Sequence, residues 1–108
     1  MRVWYRVRDL DAARAFYRDV LRFEETYVEE EGRWATLDRG ETAIALTEGE
    51  PEEGGVATID VDDVKAERER LEQAQVEVGT VLELHGAVRL LDVFDPDGNR
   101  IQLTEDVS

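Results

Sequence analysis

Arg2, Trp4 and Arg6 occupy alternate positions near the start of the chain, and in an extended segment alternation puts all three side chains on one face. Guanidinium groups grip carboxylates and phosphates in a forked geometry, and an indole offers a flat face for stacking. The stripe therefore has the chemistry to bind an anionic or aromatic small molecule. It also admits a plainer role, with the arginines paired to surface acids and Trp4 filling space. Thr58, Phe94 and Gln102 join it as candidate ligand-binding residues by the same alternation, His85 joins them from a loop, and Trp34, Asp60 and Asp92 are further candidates for the same face. His85 is the sole histidine, in the loop-like run Glu83-Leu84-His85-Gly86. Its imidazole suits acid–base chemistry, yet no Ser, Cys or Asp at motif spacing completes a catalytic set, and an exposed loop histidine is the simpler reading. Cysteine is absent and the only serine is Ser108, which removes thiolate ligands, disulfides and cysteine or serine nucleophiles.

The elements that must hold these residues come twice. Val3, Tyr5 and Val7 alternate with the basic stripe and make the buried side of a strand. Residues 9–21 then place Leu10, Ala13, Phe16, Tyr17, Val20 and Leu21 at helical spacing, with Asp9 or Asp11 available as N-cap; the Phe16–Tyr17 pair belongs to the core. Short strands are predicted over 25–28, 34–37 and 42–46. Residues 48–55, rich in Glu, Gly and Pro, read as a linker. The plan restarts with a strand over 56–61 and a helix from Asp62 or Asp63 to about residue 75. Strands follow over 76–78, 81–84, 88–94 and 101–104. Glu67, Arg68, Glu69, Arg70 and Glu72 read as a solvated helix face. Asp95-Pro96-Asp97-Gly98-Asn99 makes a tight hairpin turn.

An offset of 54 residues superposes Val7-Arg8-Asp9-Leu10 on Val61-Asp62-Asp63-Val64, each at a strand-to-helix junction. The expected architecture is α+β: one domain over residues 1–108, with module one at 1–47, the linker at 48–55 and module two at 56–108. The two tandem βαβββ modules form a curved mixed sheet around a cavity, with one helix per module outside.

Charge narrows the partners. The chain carries 27 Asp and Glu against 13 Lys and Arg, a net charge of −14. Nucleic acid is not expected as a partner, because phosphate binding is driven by cations. The acidity reads more simply as a solvated surface than as a lure for cationic ligands. No apolar run reaches transmembrane length and no signal-peptide block opens the chain, so a cytoplasmic location without membrane contact is expected.

Residues 7–17 (VRDLDAARAFY), followed by Asp19-Val20-Leu21-Arg22-Phe23, and the closing Asp95-Pro96-Asp97-Gly98-Asn99-Arg100-Ile101-Gln102-Leu103 resemble the vicinal oxygen chelate superfamily. That is the group of glyoxalase I, extradiol dioxygenases, fosfomycin resistance enzymes and bleomycin resistance proteins, and the resemblance spans essentially the whole chain. Arg22 departs from it, standing where the family commonly has glycine, and implies a backbone outside the left-handed region there. Enzymes of the family hold a divalent metal with histidines and carboxylates on the strands of both modules. Carried over, those positions fall on Arg2, Ala45, Val56 and Gln102. None is an imidazole or carboxylate, and Arg2 repels cations, so no metal and no cofactor are expected.

The resemblance with its ligands vacated implies a metal-free small-molecule binding protein of the glyoxalase/bleomycin resistance type, sequestering or sensing an organic ligand in the cavity between modules. The alternative is a lyase, isomerase or dioxygenase-like enzyme of the same superfamily. It would use either metal-free acid–base chemistry at His85 or a relocated metal site at Asp60, His85 and Asp92. A third possibility is a purely structural role. A homodimer is expected, as the family often forms one and open sheet edges need cover.

Overall fold

The computed structural model describes residues 2–52, 55–84 and 86–107. The predicted order is present. β1 (Arg2–Val7), α1 (Leu10–Ala15), β2 (Glu24–Glu29), β3 (Trp34–Arg39) and β4 (Thr42–Glu48) form the first βαβββ module; β5 (Ala57–Asp60), α2 (Val64–Gln73), β6 (Leu82–Leu84), β7 (Val88–Phe94) and β8 (Arg100–Asp106) form the second. Each module is a four-stranded mixed sheet, ordered β1-β4-β3-β2 or β5-β8-β7-β6, with its first strand parallel to its last. Among the described residues no helix is long and apolar enough to cross a membrane.

The internal repeat extends to individual hydrogen bonds. Asp9 and Asp63 cap their helices by accepting from the amides of Ala12 (3.2 Å) and Ala66 (3.1 Å). In each module a glutamate of the last strand reaches the first helical amide: Glu48 accepts from Leu10 N (3.0 Å), Glu105 from Val64 N (2.9 Å). Each glutamate is gripped in turn by an arginine of its own module, Arg33 or Arg89. A carboxylate at a helix N-terminus complements the positive end of the dipole, so helix and sheet are pinned at equivalent points.

Both helices end through a left-handed residue other than glycine, Arg22 (φ 60°) in one module and Gln75 (φ 62°) in the other. The backbone outside the left-handed region expected at Arg22 is therefore wrong. The helix does not stop as a regular α-helix: after α1 the chain widens into a π-helical turn, Phe16–Val20, and Phe23 N returns to Tyr17 O (2.9 Å), which demands a left-handed residue between them. The expected strand over 76–78 shrinks to a single bridge between Val78 and Val93.

The apolar faces of the helices and the helix-facing sides of both sheets merge into one core containing Tyr5, Val7, Leu10, Tyr17, Leu37, Ile44, Ile59, Leu71, Leu91 and Leu103. A buried polar latch joins the modules through it. Asp95 Oδ1 accepts from the amides of Asp97 and Asn99 (both 2.9 Å), and Oδ2 accepts from Asn99 Nδ2 (2.9 Å) and the Tyr17 hydroxyl (2.8 Å). Asn99 Nδ2 also donates to Arg6 O in β1 (3.0 Å), while Tyr5 donates to Arg100 O (2.7 Å) and accepts from Ala57 N (2.8 Å). The turn motif is thus a structural clasp, and the positive φ of Gly98 (85°) lets it close. Burial pushes the Tyr5 hydroxyl up to about 12, and burial beside Asp95 raises Tyr17 well above its ordinary value.

The inner part of the supposedly solvated face of α2 is a second tie. Glu67 receives Arg39 of module one (3.0 Å) and Arg70 (2.8 Å), and Arg70 donates to Val20 O at the end of the first helical segment (2.8 Å). Burial alone would raise the Glu67 carboxyl; bonds from Arg70 and Arg39 outweigh it and leave the pKa lowered. Charges three apart on a helix look solvent-facing in sequence, and the partner from the other module reverses that reading.

Candidate functional site

With the helix-facing sides committed to the core, each sheet keeps one open face. Strand register builds the first face row by row. Arg2 lies beside Ala43 and, across β4, Asp38; Trp4 beside Ala45, Thr36 and Tyr27; Arg6 beside Thr47, Trp34 and Glu29. Small residues of β4 form the floor, aromatic rings rise on both sides, and the two arginines flank Trp4 along β1. Trp4 is 55% exposed and Tyr27 50%. The rings form a chain, with Trp4 and Trp34 centroids 6.3 Å apart and Trp34 and Tyr27 5.2 Å apart. Gly32 explains why Trp34 stands where it does, since a Cβ there would come within 2.9 Å of the indole. Under the rings, Thr26 and Thr36 share a hydroxyl hydrogen bond of 2.6 Å.

The arginines of this face are loosely held. Arg2 Nη2 is 4.0 Å from Asp38 Oδ1, an atom buried without a hydrogen-bond partner, and Arg6 Nε is 3.5 Å from Glu52. Exposed pairs of this kind contribute little, so both guanidinium groups have donors to spare.

The second open face differs. Thr58, Gln102 and Asp92 form one row, and Gln102 Nε2 donates to Asp92 Oδ1 (3.3 Å), while Asp60 accepts from Thr104 Oγ1 (2.8 Å). Towards its outer edge the face turns aliphatic: Leu90 beside Leu82, Val88 beside Leu84, with Leu82 56% and Leu84 45% exposed.

The structure thus places Arg2, Trp4 and Arg6 together with Trp34 on one open face, and Thr58, Asp60, Asp92 and Gln102 on the other. Phe94 lies on the second face too, one row beyond Asp92 and beside Arg100. It borders a cavity of about 280 Å³ at the module junction, together with Tyr5, Val56, Asn99 and Arg100. His85 falls outside the described residues. A broader depression of about 450 Å³ beside α2 is lined by Arg22, Arg39, Arg70 and several acids, but Arg39 and Arg70 are already committed to Glu67. Tyr27 was missed because a bulge between Glu25 and Tyr27 shifts the alternation by one residue. Leu82 and Leu84 had a strand signal that did not say which face they would take.

Of the positions where the metal would be bound, Arg2 is on the first open face and Ala45 is buried in its floor. Val56 precedes β5, and Gln102 is tied to Asp92. Among the described residues no three His, Cys, Asp or Glu side chains converge to hold a metal ion. The donors present, one amide and a guanidinium, do not suit a divalent transition metal.

Residues 2–103 match the family model described as the Glyoxalase/Bleomycin resistance protein/Dioxygenase superfamily. No curated protein matches the chain. Among solved structures, the chain is similar to a genomically encoded fosfomycin resistance protein, FosX, from Listeria monocytogenes, with a TM-score of 0.83, 19% identity and coverage of 98% of this chain and 90% of that one. A lactoylglutathione lyase from Agrobacterium tumefaciens aligns with a TM-score of 0.78 at 24% identity, covering 97% and 91%. TnmS3, an antibiotic binding protein from a Streptomyces species, aligns with a TM-score of 0.80 at 25% identity, covering 97% and 93%.

Proposed function

Because the chain belongs to the Glyoxalase/Bleomycin resistance protein/Dioxygenase superfamily, we propose that it is a metal-free, cytoplasmic small-molecule binding protein of that superfamily. It sequesters or senses an organic ligand on the open faces of its sheets. The observation that carries this reading is the composition of the first face. Where relatives would place metal ligands the chain has Arg2 and Ala45, and around them stand exposed aromatic rings and arginines with spare donors. Such a surface can bind and orient a ligand. The similarity of fold to an antibiotic binding protein agrees with a binding role.

Screening by thermal shift against metabolites and aromatic or cationic antibiotics tests the proposal. A ligand at a hundred times its Kd should add about 2.7 kcal/mol of stability and raise the melting temperature visibly. If no compound does so at saturating concentration, binding is not the protein's role.

The proposal includes a homodimer. Edge strand β6 carries exposed Leu82 and Leu84, apolar surface that a second copy would cover. A monomeric mass by light scattering at micromolar concentrations would contradict it.

An enzymatic reading keeps one observation in its favour, the two carboxylates Asp60 and Asp92 on the second open face beside Gln102. It requires His85 to join them around a relocated metal. Stoichiometric zinc, nickel, iron or manganese in protein purified without chelators would favour it.

A further inference from the structure

The binding reading leaves the class of ligand open, and the first open face narrows it. We infer that this face takes a planar aromatic anion, its ring stacked on Trp4 and its carboxylate, sulfonate or phosphate held by Arg2 or Arg6. The inference rests on the proposed binding role and specifies its ligand.

Three observations converge. First, the exposed rings are not spread over the surface: Trp4, Trp34 and Tyr27 form one chain of contacts on one face, and Trp4 and Tyr27 each leave about half their surface open. Ala45, next to Trp4 in the floor, is already fully buried, so the surface left for a flat molecule is the outer face of the Trp4 indole, beside Ala43 and Thr47. The centroid spacing of 6.3 Å between Trp4 and Trp34, with the rings tilted by 51°, leaves no slot for insertion. The ligand ring therefore stacks on the outer face of Trp4. Secondly, Arg2 and Arg6 bracket Trp4 on the same face, each about 7 Å along the strand, within reach of a charged group attached to a ring seated between them. Thirdly, their present ion pairs are long, at 4.0 and 3.5 Å, and both guanidinium groups are about half exposed, so a ligand anion offering short, forked hydrogen bonds competes well.

The acids near the face weigh on the other side. Asp38 stands by Arg2, Glu52 by Arg6, and Glu29 is bonded by the Tyr27 hydroxyl at 2.7 Å. Each is already beside a donor of this face, and none adjoins the open side of Trp4 in its own row. The net charge of −14 acts at longer range and is screened over roughly 8 Å at physiological ionic strength. The neighbouring guanidinium groups decide the sign of the ligand.

The chain has only two tryptophans, Trp4 and Trp34, both in this cluster, so fluorescence excited selectively at tryptophan reports on the site. The experiment titrates the full chain with three naphthalene probes of equal ring size: the carboxylate, the alcohol and the aminomethyl cation. Saturable quenching by the carboxylate is expected, with an affinity roughly ten-fold or more above that of the alcohol and the cation. Trp4→Ala should abolish that binding with the circular dichroism spectrum unchanged. The double variant Arg2→Gln, Arg6→Gln should bring the carboxylate down to the alcohol's affinity. Tighter binding of the cation, or equal binding of all three, overturns the anionic class while leaving small-molecule binding standing. Quenching by none of the three overturns this inference, and the broader thermal-shift screen then decides the binding role separately.

Discussion

The open faces of the two sheets occupy equivalent places in equivalent modules, yet their chemistry is opposite. The first is aromatic and basic around Arg2, Trp4 and Arg6; the second is polar and acidic in the middle around Asp60 and Asp92 and aliphatic at its edge around Leu82 and Leu84. On the helix side the modules behave as copies: the same aspartate caps, the same glutamate reaching the first helical amide, the same left-handed exit from the helix. The repeat persists where side chains hold helix to sheet. It fades where side chains meet solvent, and divergence there costs the fold little.

That contrast can be broken in several ways. The largest effect belongs to the clasp. Asp95→Ala removes the acceptor for the Tyr17 hydroxyl, the Asn99 side chain and two turn amides, leaving buried donors unpaired. A loss of about 3–5 kcal/mol is expected in denaturant unfolding, and a loss near zero would show that the turn does not hold the modules. Next comes alkali. The Tyr5 pKa is raised to about 12 from an ordinary 10.0, so its stabilising contribution is intact below pH 10 and is lost as pH rises through about 12. The corresponding destabilisation is about 2.7 kcal/mol. Unfolding curves followed across that range should show a shallower decline for Tyr5→Phe than for the parent. A smaller effect, of opposite sign, is expected at the end of the first helix. Arg22→Gly relieves a left-handed backbone and should add roughly 0.5–1 kcal/mol, whereas destabilisation would mean that the Arg22 side chain holds something in place. The smallest is on the first open face, where Trp4→Ala should change stability by no more than about 0.5 kcal/mol, because the ring is largely solvated. A large loss there would make Trp4 a packing residue and dissolve the distinction between the two sides of the sheet.

Much of this was legible in the sequence because it follows local rules. The strand-to-helix junctions at Asp9 and Asp63 and the hairpin turn depend on residue types at fixed spacing. Alternation also sorted Arg2, Trp4 and Arg6 from Val3, Tyr5 and Val7 correctly. What escaped depends on distant partners or on backbone detail. Glu67 and Arg70 look like solvent-facing charges until Arg39 arrives from the other module. Tyr27 is hidden by a bulge that alternation cannot anticipate. Arg22 adopts a glycine conformation because the π-helical turn before it leaves Phe23 N to bond Tyr17 O. The role of Asp95 and Asn99 as a link between modules needed Tyr17 and Arg6 beside them, residues about eighty to ninety positions away in the chain.

Where the metal ligands of the superfamily's enzymes would fall, Arg2 and Ala45 belong to an aromatic and basic face, and the proposed function has no metal there. The most direct test is elemental analysis of the full-length protein, purified without chelators or affinity metals and then offered zinc, nickel, manganese and iron before desalting. Substoichiometric content for every metal is expected. One tightly held ion per chain, retained through desalting, would show that the protein does hold a metal and would overturn the metal-free function.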